Sequence, residues 1–159
     1  MKRIAHSWIC LGLTLTLAAC GPGAVMTTPD DAASTTCGTD TRGELYAPGM
    51  TQTGKDHLLT VKLLTSTPGP PIKGNNNWVI TVTDTTGAPV DGLAIKVIPF
   101  MPDHGHGTPI LVGVTPMGNG TYDLNPVNLF MAGLWQVSIN MTTTDMHVDQ
   151  SVFSFCIEG

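Results

Sequence analysis

From Leu59 onward the apolar positions recur every second residue, the period of strands that place one face on a core and the other in water. Leu59, Val61 and Leu63 alternate mainly with Thr and Lys, as do Trp78, Ile80 and Val82. The rule then repeats. Leu93, Ile95 and Val97 share one face, Trp135, Val137, Ile139 and Met141 share another, and Ser151, Phe153 and Phe155 alternate with Val152, Ser154 and Cys156. Turn material separates these runs: Asp84 to Pro89 (DTTGAP), Pro116 to Gly120 (PMGNG) and Thr142 to Asp145. No stretch shows the 3.6-residue period of an amphipathic helix. With 18 Gly and 12 Pro punctuating short strands, the pattern predicts an all-β fold, an antiparallel β-sandwich of about seven strands. On that reading Trp78 and Trp135 belong to the core, and Tyr122 packs at a strand end with its hydroxyl satisfied.

The first 36 residues follow a different rule. Lys2 and Arg3 place positive charge at the start, and the run from Trp8 to Leu17 is apolar but too short for a membrane span, which needs roughly 20 residues. This is the layout of an export signal. It closes on Leu17, Ala18, Ala19, Cys20, which resembles the lipobox of bacterial lipoproteins, so residues 1–19 are expected to be removed and Cys20 lipidated. The alternative is an ordinary secretory signal with a chance cysteine. Residues 20–36 then read as lipidated cysteine plus a tether rich in Gly, Pro, Thr, Ser and Ala, a composition that buries too little apolar surface to order itself. A β-sandwich domain is expected over 37–159.

Loss of Lys2 and Arg3 leaves five basic residues against twelve acidic ones and moves the formal charge from −5 to −7. No nucleic-acid footprint is present. Of the four cysteines, Cys10 leaves with the signal and Cys20 takes the lipid. Cys37 and Cys156 remain as the one possible intramolecular pair in a disulfide-permissive compartment, tying the start of the domain to its last strand. Two free or metal-binding thiols are the alternative, though no CxxC or His-x-Cys spacing surrounds either.

One segment departs from this pattern: Phe100, Met101, Pro102, Asp103, His104, Gly105, His106, Gly107, Thr108. It follows the Leu93 to Val97 strand and is expected to be an inter-strand loop, its glycines letting the backbone turn around two imidazoles. His-x-His can bring two ring nitrogens to one ion. Met101 is close in sequence, and Met117, Met131, Met141 and Met146 with His147 fall near later turns or strand ends, from where some could approach. Imidazole with thioether suits copper, Cu(I) in particular, over hard cations. The other reading is a plain turn whose imidazoles bond to neighbouring carbonyls, with methionines as core filler. Asp103 is a third ligand, a partner that fixes a His tautomer, or a turn residue. His57 reads as a surface residue.

The run from Trp78 to Gly159, with TGAPVDGL, FMPDHGHGTP, GNGTYDL and NLFMAGLWQVSI, resembles the YtkA-like domain, related to FixH-type proteins of the bacterial envelope. The resemblance covers roughly residues 55 to 157 and rests on two linked motifs, M-P-x-H-G-H-G and F-M-x-G-x-W. It implies an immunoglobulin-like sandwich and a setting near copper handling and cytochrome oxidase assembly. Met101, His104 and His106 map onto the first motif; Phe130, Met131, Gly133 and Trp135 map onto the second. This chain lacks the transmembrane helix of FixH-type proteins.

No motif for catalysis is present: no G-x-S-x-G elbow, no phosphate-binding glycine loop, no free cysteine beside a base. Two functions follow. The first is a lipid-anchored module that binds or transfers copper, with His104 and His106 as ligands and Met101 and Met131 as thioether candidates. The second is a non-enzymatic envelope module that presents the HGHG loop to a protein or glycan partner and binds no metal. Gly21 after the lipidated cysteine favours the periplasmic face of the outer membrane over the inner membrane.

Overall fold

The structure, a computed structural model, describes Cys37 and residues 40–159. The expected export signal, Cys20 and the expected tether lie outside these residues. The described chain is all β, with nine strands: β1 Met50–Thr53, β2 Leu59–Thr67, β3 Gly74–Asp84, β4 Ala94–Met101, β5 His106–Gly107, β6 Gly113–Gly118, β7 Thr121–Leu129, β8 Gly133–Thr142 and β9 Val148–Ile157. They form two antiparallel sheets, ordered β1-β2-β3-β7-β6 and β5-β4-β8-β9.

Without β1, these orders are the A-B-E-D and C′-C-F-G orders of the immunoglobulin sandwich. The expected count of about seven is exceeded by two short pieces. β1 is a four-residue edge strand and β5 has two residues, and both are too brief to show as alternation.

Period-two burial builds the core. Leu59, Val61 and Leu63 from β2, Trp78, Ile80 and Val82 from β3, and Tyr122 and Leu124 from β7 face Trp135, Val137, Ile139 and Met141 from β8 and Phe153 and Phe155 from β9. Trp78 meets Phe155 and Phe153 edge to face, with centroids 5.6 and 6.1 Å apart. The Tyr122 hydroxyl donates to the Val90 carbonyl (2.9 Å) and accepts from the Leu93 N–H (3.2 Å), anchoring the β3–β4 connection to β7. Tyr122→Phe leaves that N–H and carbonyl without their partner, at a cost of about 1 to 3 kcal/mol. A thermal melt should show the drop; an unchanged midpoint would mean that water replaces the hydroxyl without loss.

Cys37 and Cys156 form a disulfide across a sequence separation of 119, with Cα atoms 5.4 Å apart. Unlike the inter-sheet bridge of antibody domains, it fastens the segment preceding the sandwich to its last strand. Beside it the Glu44 N–H donates to the Ser154 carbonyl (2.7 Å), and the Ser154 N–H returns a bond to Glu44 Oε2 (2.9 Å). The segment around Arg42 therefore lies along β9. Among the described residues no helix is long and apolar enough to cross a membrane.

Candidate functional site

The HGHG segment is a tight hairpin between β4 and β5, with Pro102 to Gly105 as its loop. The Met101 carbonyl accepts from the Gly105 N–H at 2.9 Å and the His104 N–H at 3.3 Å. Gly105 sits at φ +67°, where a side chain is strained. Gly107 has a different reason: a Cβ there would lie 2.7 Å from the Pro99 carbonyl oxygen. Both glycines are thus set by the backbone path that brings the histidines together.

Sequence reading placed Phe100 and Met101 in the loop, but β4 continues through both. Residues directly opposite in an antiparallel pair project to the same face, and Met101 pairs with His106. Met101 is fully buried at the end of the core, whereas His106 is half-buried and His104 exposed. The two imidazole centroids are 5.6 Å apart, tilted by 47°. Two imidazoles on one ion at ordinary metal–nitrogen distances place their centroids roughly 5 to 6 Å apart. His106 Nδ1 lies 3.3 Å from the Gly107 carbonyl. A proton on Nδ1, donated there, leaves the Nε2 lone pair free for a ligand.

The second motif packs against the first. Phe130 stacks on His106 (5.7 Å, 26°) and meets Trp135 edge-on (5.6 Å, 70°). The Trp135 indole N–H donates to the Met131 carbonyl at 2.9 Å, which fixes the connection between β7 and β8. Gly133, at φ +123°, passes so close that a Cβ would be 3.0 Å from Met101 Cε. Met131 itself is half-buried against the core. Met101, His104 and His106 are thus gathered on one hairpin, and Met131 belongs to the connection whose Phe130 covers His106.

The remaining candidates lie elsewhere. β8 starts beside Met101 at Gly133 and ends at Thr142, opposite Ala94 at the start of β4, so Met141 and the Met146–His147 turn occupy the other end of the sandwich. Ten residues of strand, roughly 30 Å, separate them from the hairpin. Met117, next to the β6–β7 turn, is at that far end too. His147 Nε2 there lies 3.2 Å from Asp145 Oδ2.

Asp103 is engaged. Arg42 Nη1 and Nη2 donate to its two oxygens at 2.8 and 2.7 Å, and Arg42 also bonds Asp40. The Arg42 guanidinium holds the carboxyls of Asp103 and Asp40 below the usual range, and they in turn raise the guanidinium. Sequence reading missed Arg42, which is 61 residues from its partner and belongs to no motif. Among the described residues no three His, Cys, Asp or Glu side chains converge as a metal cage.

A family model described as YtkA-like matches residues 55–140, more than half of the chain. This chain belongs to the YtkA-like family. The match runs from the β1–β2 connection into β8 and so contains both interlocked motifs, while Cys37, Arg42 and β9 fall outside it. No curated protein and no solved structure matches the chain. In this YtkA-like sandwich the motif residues form one contiguous cluster, so the linkage read from sequence is a physical contact of Phe130 with His106 and of Gly133 with Met101.

Proposed function

We propose that this YtkA-like chain is a non-enzymatic, lipid-anchored envelope module that binds Cu(I) through His104 and His106. The observation that carries the reading is the imidazole pair, 5.6 Å between centroids, on a hairpin whose cross-strand neighbour of His106 is a methionine. Two nitrogens with a thioether nearby favour a soft monovalent ion over hard divalent ones. Met101, directly across from His106, is the first thioether candidate and Met131 the second. Phe130 braces His106, leaving the exposed His104 as the ligand free to adjust or to let go, which suits transfer as well as binding. The lipid on Cys20 would hold the module at the periplasmic face of the outer membrane.

Anaerobic titration of the purified full-length protein against a competing Cu(I) chelator is expected to show about one equivalent bound. The combined change His104→Ala, His106→Ala should abolish it. Equal affinity in that variant would eliminate the site.

A second reading has one observation in its favour: Ile98, Phe100, Ile110 and Leu111 are exposed apolar side chains beside the hairpin. A protein partner docking there would make the HGHG loop part of a contact surface. That reading expects no tight Cu(I) uptake and a partner whose binding is lost when the hairpin is replaced.

A further inference from the structure

We infer that Arg42 is a metal-selectivity residue: it withholds the Asp103 carboxylate from the histidine pair and so keeps a hard oxygen ligand out of the site. This deepens the copper reading and rests on it. Asp103 directly precedes His104 and is the one acidic residue of the hairpin. Both of its oxygens are taken by the Arg42 fork, while Nε and Nη2 of the same guanidinium bond Asp40 at 3.0 and 2.7 Å. Isolated exposed ion pairs exert little hold, but a bidentate pair in a three-group network is the exception.

Arg42 is also well placed by its own segment. A Cβ on Gly43 would lie 3.0 Å from the Cys156 backbone nitrogen, and Glu44 exchanges two hydrogen bonds with Ser154, so the backbone that directly follows Arg42 is held against β9. The disulfide at Cys37 closes the same stretch.

The consequence is chemical and electrostatic together. With Asp103 engaged, the site offers two imidazoles and a thioether, a donor set for a soft monovalent ion. With Asp103 released, it offers two imidazoles and a carboxylate, a set that Zn(II) accepts readily. Removing a guanidinium charge and exposing a carboxylate also favours a divalent ion twice as strongly as a monovalent one at equal distance.

Full-length wild type, Arg42→Gln, Asp103→Asn and the double variant would each be titrated with Zn(II) and, anaerobically, with Cu(I). Arg42→Gln should bind Zn(II) about tenfold or more tightly than wild type, with Cu(I) affinity within about threefold. Asp103→Asn alone should show no gain, and adding it to Arg42→Gln should erase the gain. Zn(II) affinity unchanged in Arg42→Gln, or a gain that survives in the double variant, overturns the inference. Failure of wild type to take up Cu(I) sinks the copper reading instead, and the Zn(II) arm still decides the role of Arg42. Thermal melts of the four proteins confirm equal folding.

Discussion

Reduction of the Cys37–Cys156 bridge is expected to lower the thermal midpoint by roughly 10 °C, corresponding to about 2 to 4 kcal/mol. The bridge spans 119 residues, and the chain-entropy account gives a ceiling of about 5 kcal/mol for such a loop. The measured loss should fall below that ceiling. Once the bridge opens, the folded protein can relax by letting Cys37, Asp40 and Thr41 fray, because among the described residues the Cys37 N–H bond to Glu158 and the Arg42 pairings are the side-chain contacts left to hold them. Melts with and without a thiol reductant, beside the Cys37→Ser, Cys156→Ser variant, give the number. Two titratable thiols before reduction, or coincident melts, would refute the bridge as a stabilising staple. A midpoint lowered without change in the cooperativity of the melt would place the whole effect on the unfolded chain and the frayed end.

The alternation of Leu59, Val61, Leu63 and of Trp135, Val137, Ile139, Met141 carried the two-sheet core in plain view, because a one-residue slip would turn every such side chain to water. The limits of β4 were not legible. Pro99 and Met101 continue its buried face, yet Pro102, Asp103 and two glycines read as loop chemistry and obscured two residues of strand. β1 and β5 escaped because four and two residues are too few to display a period.

At the site, sequence could bring His104 and His106 together because one glycine separates them. It could not show that Met101 would lie across from His106, since that depends on a four-residue loop and its register. Nor could spacing reveal Phe130 on His106 or Arg42 on Asp103, contacts that only the sandwich creates. The methionines of the far end illustrate the converse. Met141 and Met146 stood as candidates as long as strand direction was unknown, and the direction of β8 removed them.

Asp149→Ala is expected to cost about 3 to 5 kcal/mol, the largest loss of any single substitution discussed for this fold. Asp149 is on β9, only 1% exposed, and accepts four backbone N–H bonds, from Asp56 (2.9 Å), Leu58 (3.0 Å), Leu59 (2.9 Å) and Gln150 (2.8 Å). Two of these donors, Asp56 and Leu58, belong to the β1–β2 connection and a third, Leu59, opens β2, so one carboxylate of the second sheet holds a hairpin of the first. Gly54 completes the fit, for a Cβ there would fall 2.0 Å from Asp149 Oδ2. Gly54→Ala should therefore destabilise by displacing the carboxylate rather than through any φ preference. Burial pushes the Asp149 carboxyl up, but the four N–H donors outweigh it and hold the group below its ordinary value of 3.8. The sign of the pH effect follows. A carboxyl whose folded value is depressed contributes fully above its unfolded value and loses that contribution as pH falls through the folded one. Wild-type stability should thus decline as pH drops below about 4, and Asp149→Asn should show a shallower decline from a lower plateau. Asp40, Asp84, Asp103 and Asp145 are held down as well, so part of the acid sensitivity will persist in the variant. Urea unfolding at a series of pH values tests this. Parallel curves for wild type and Asp149→Asn would show that the carboxylate is not the clamp its four donors suggest.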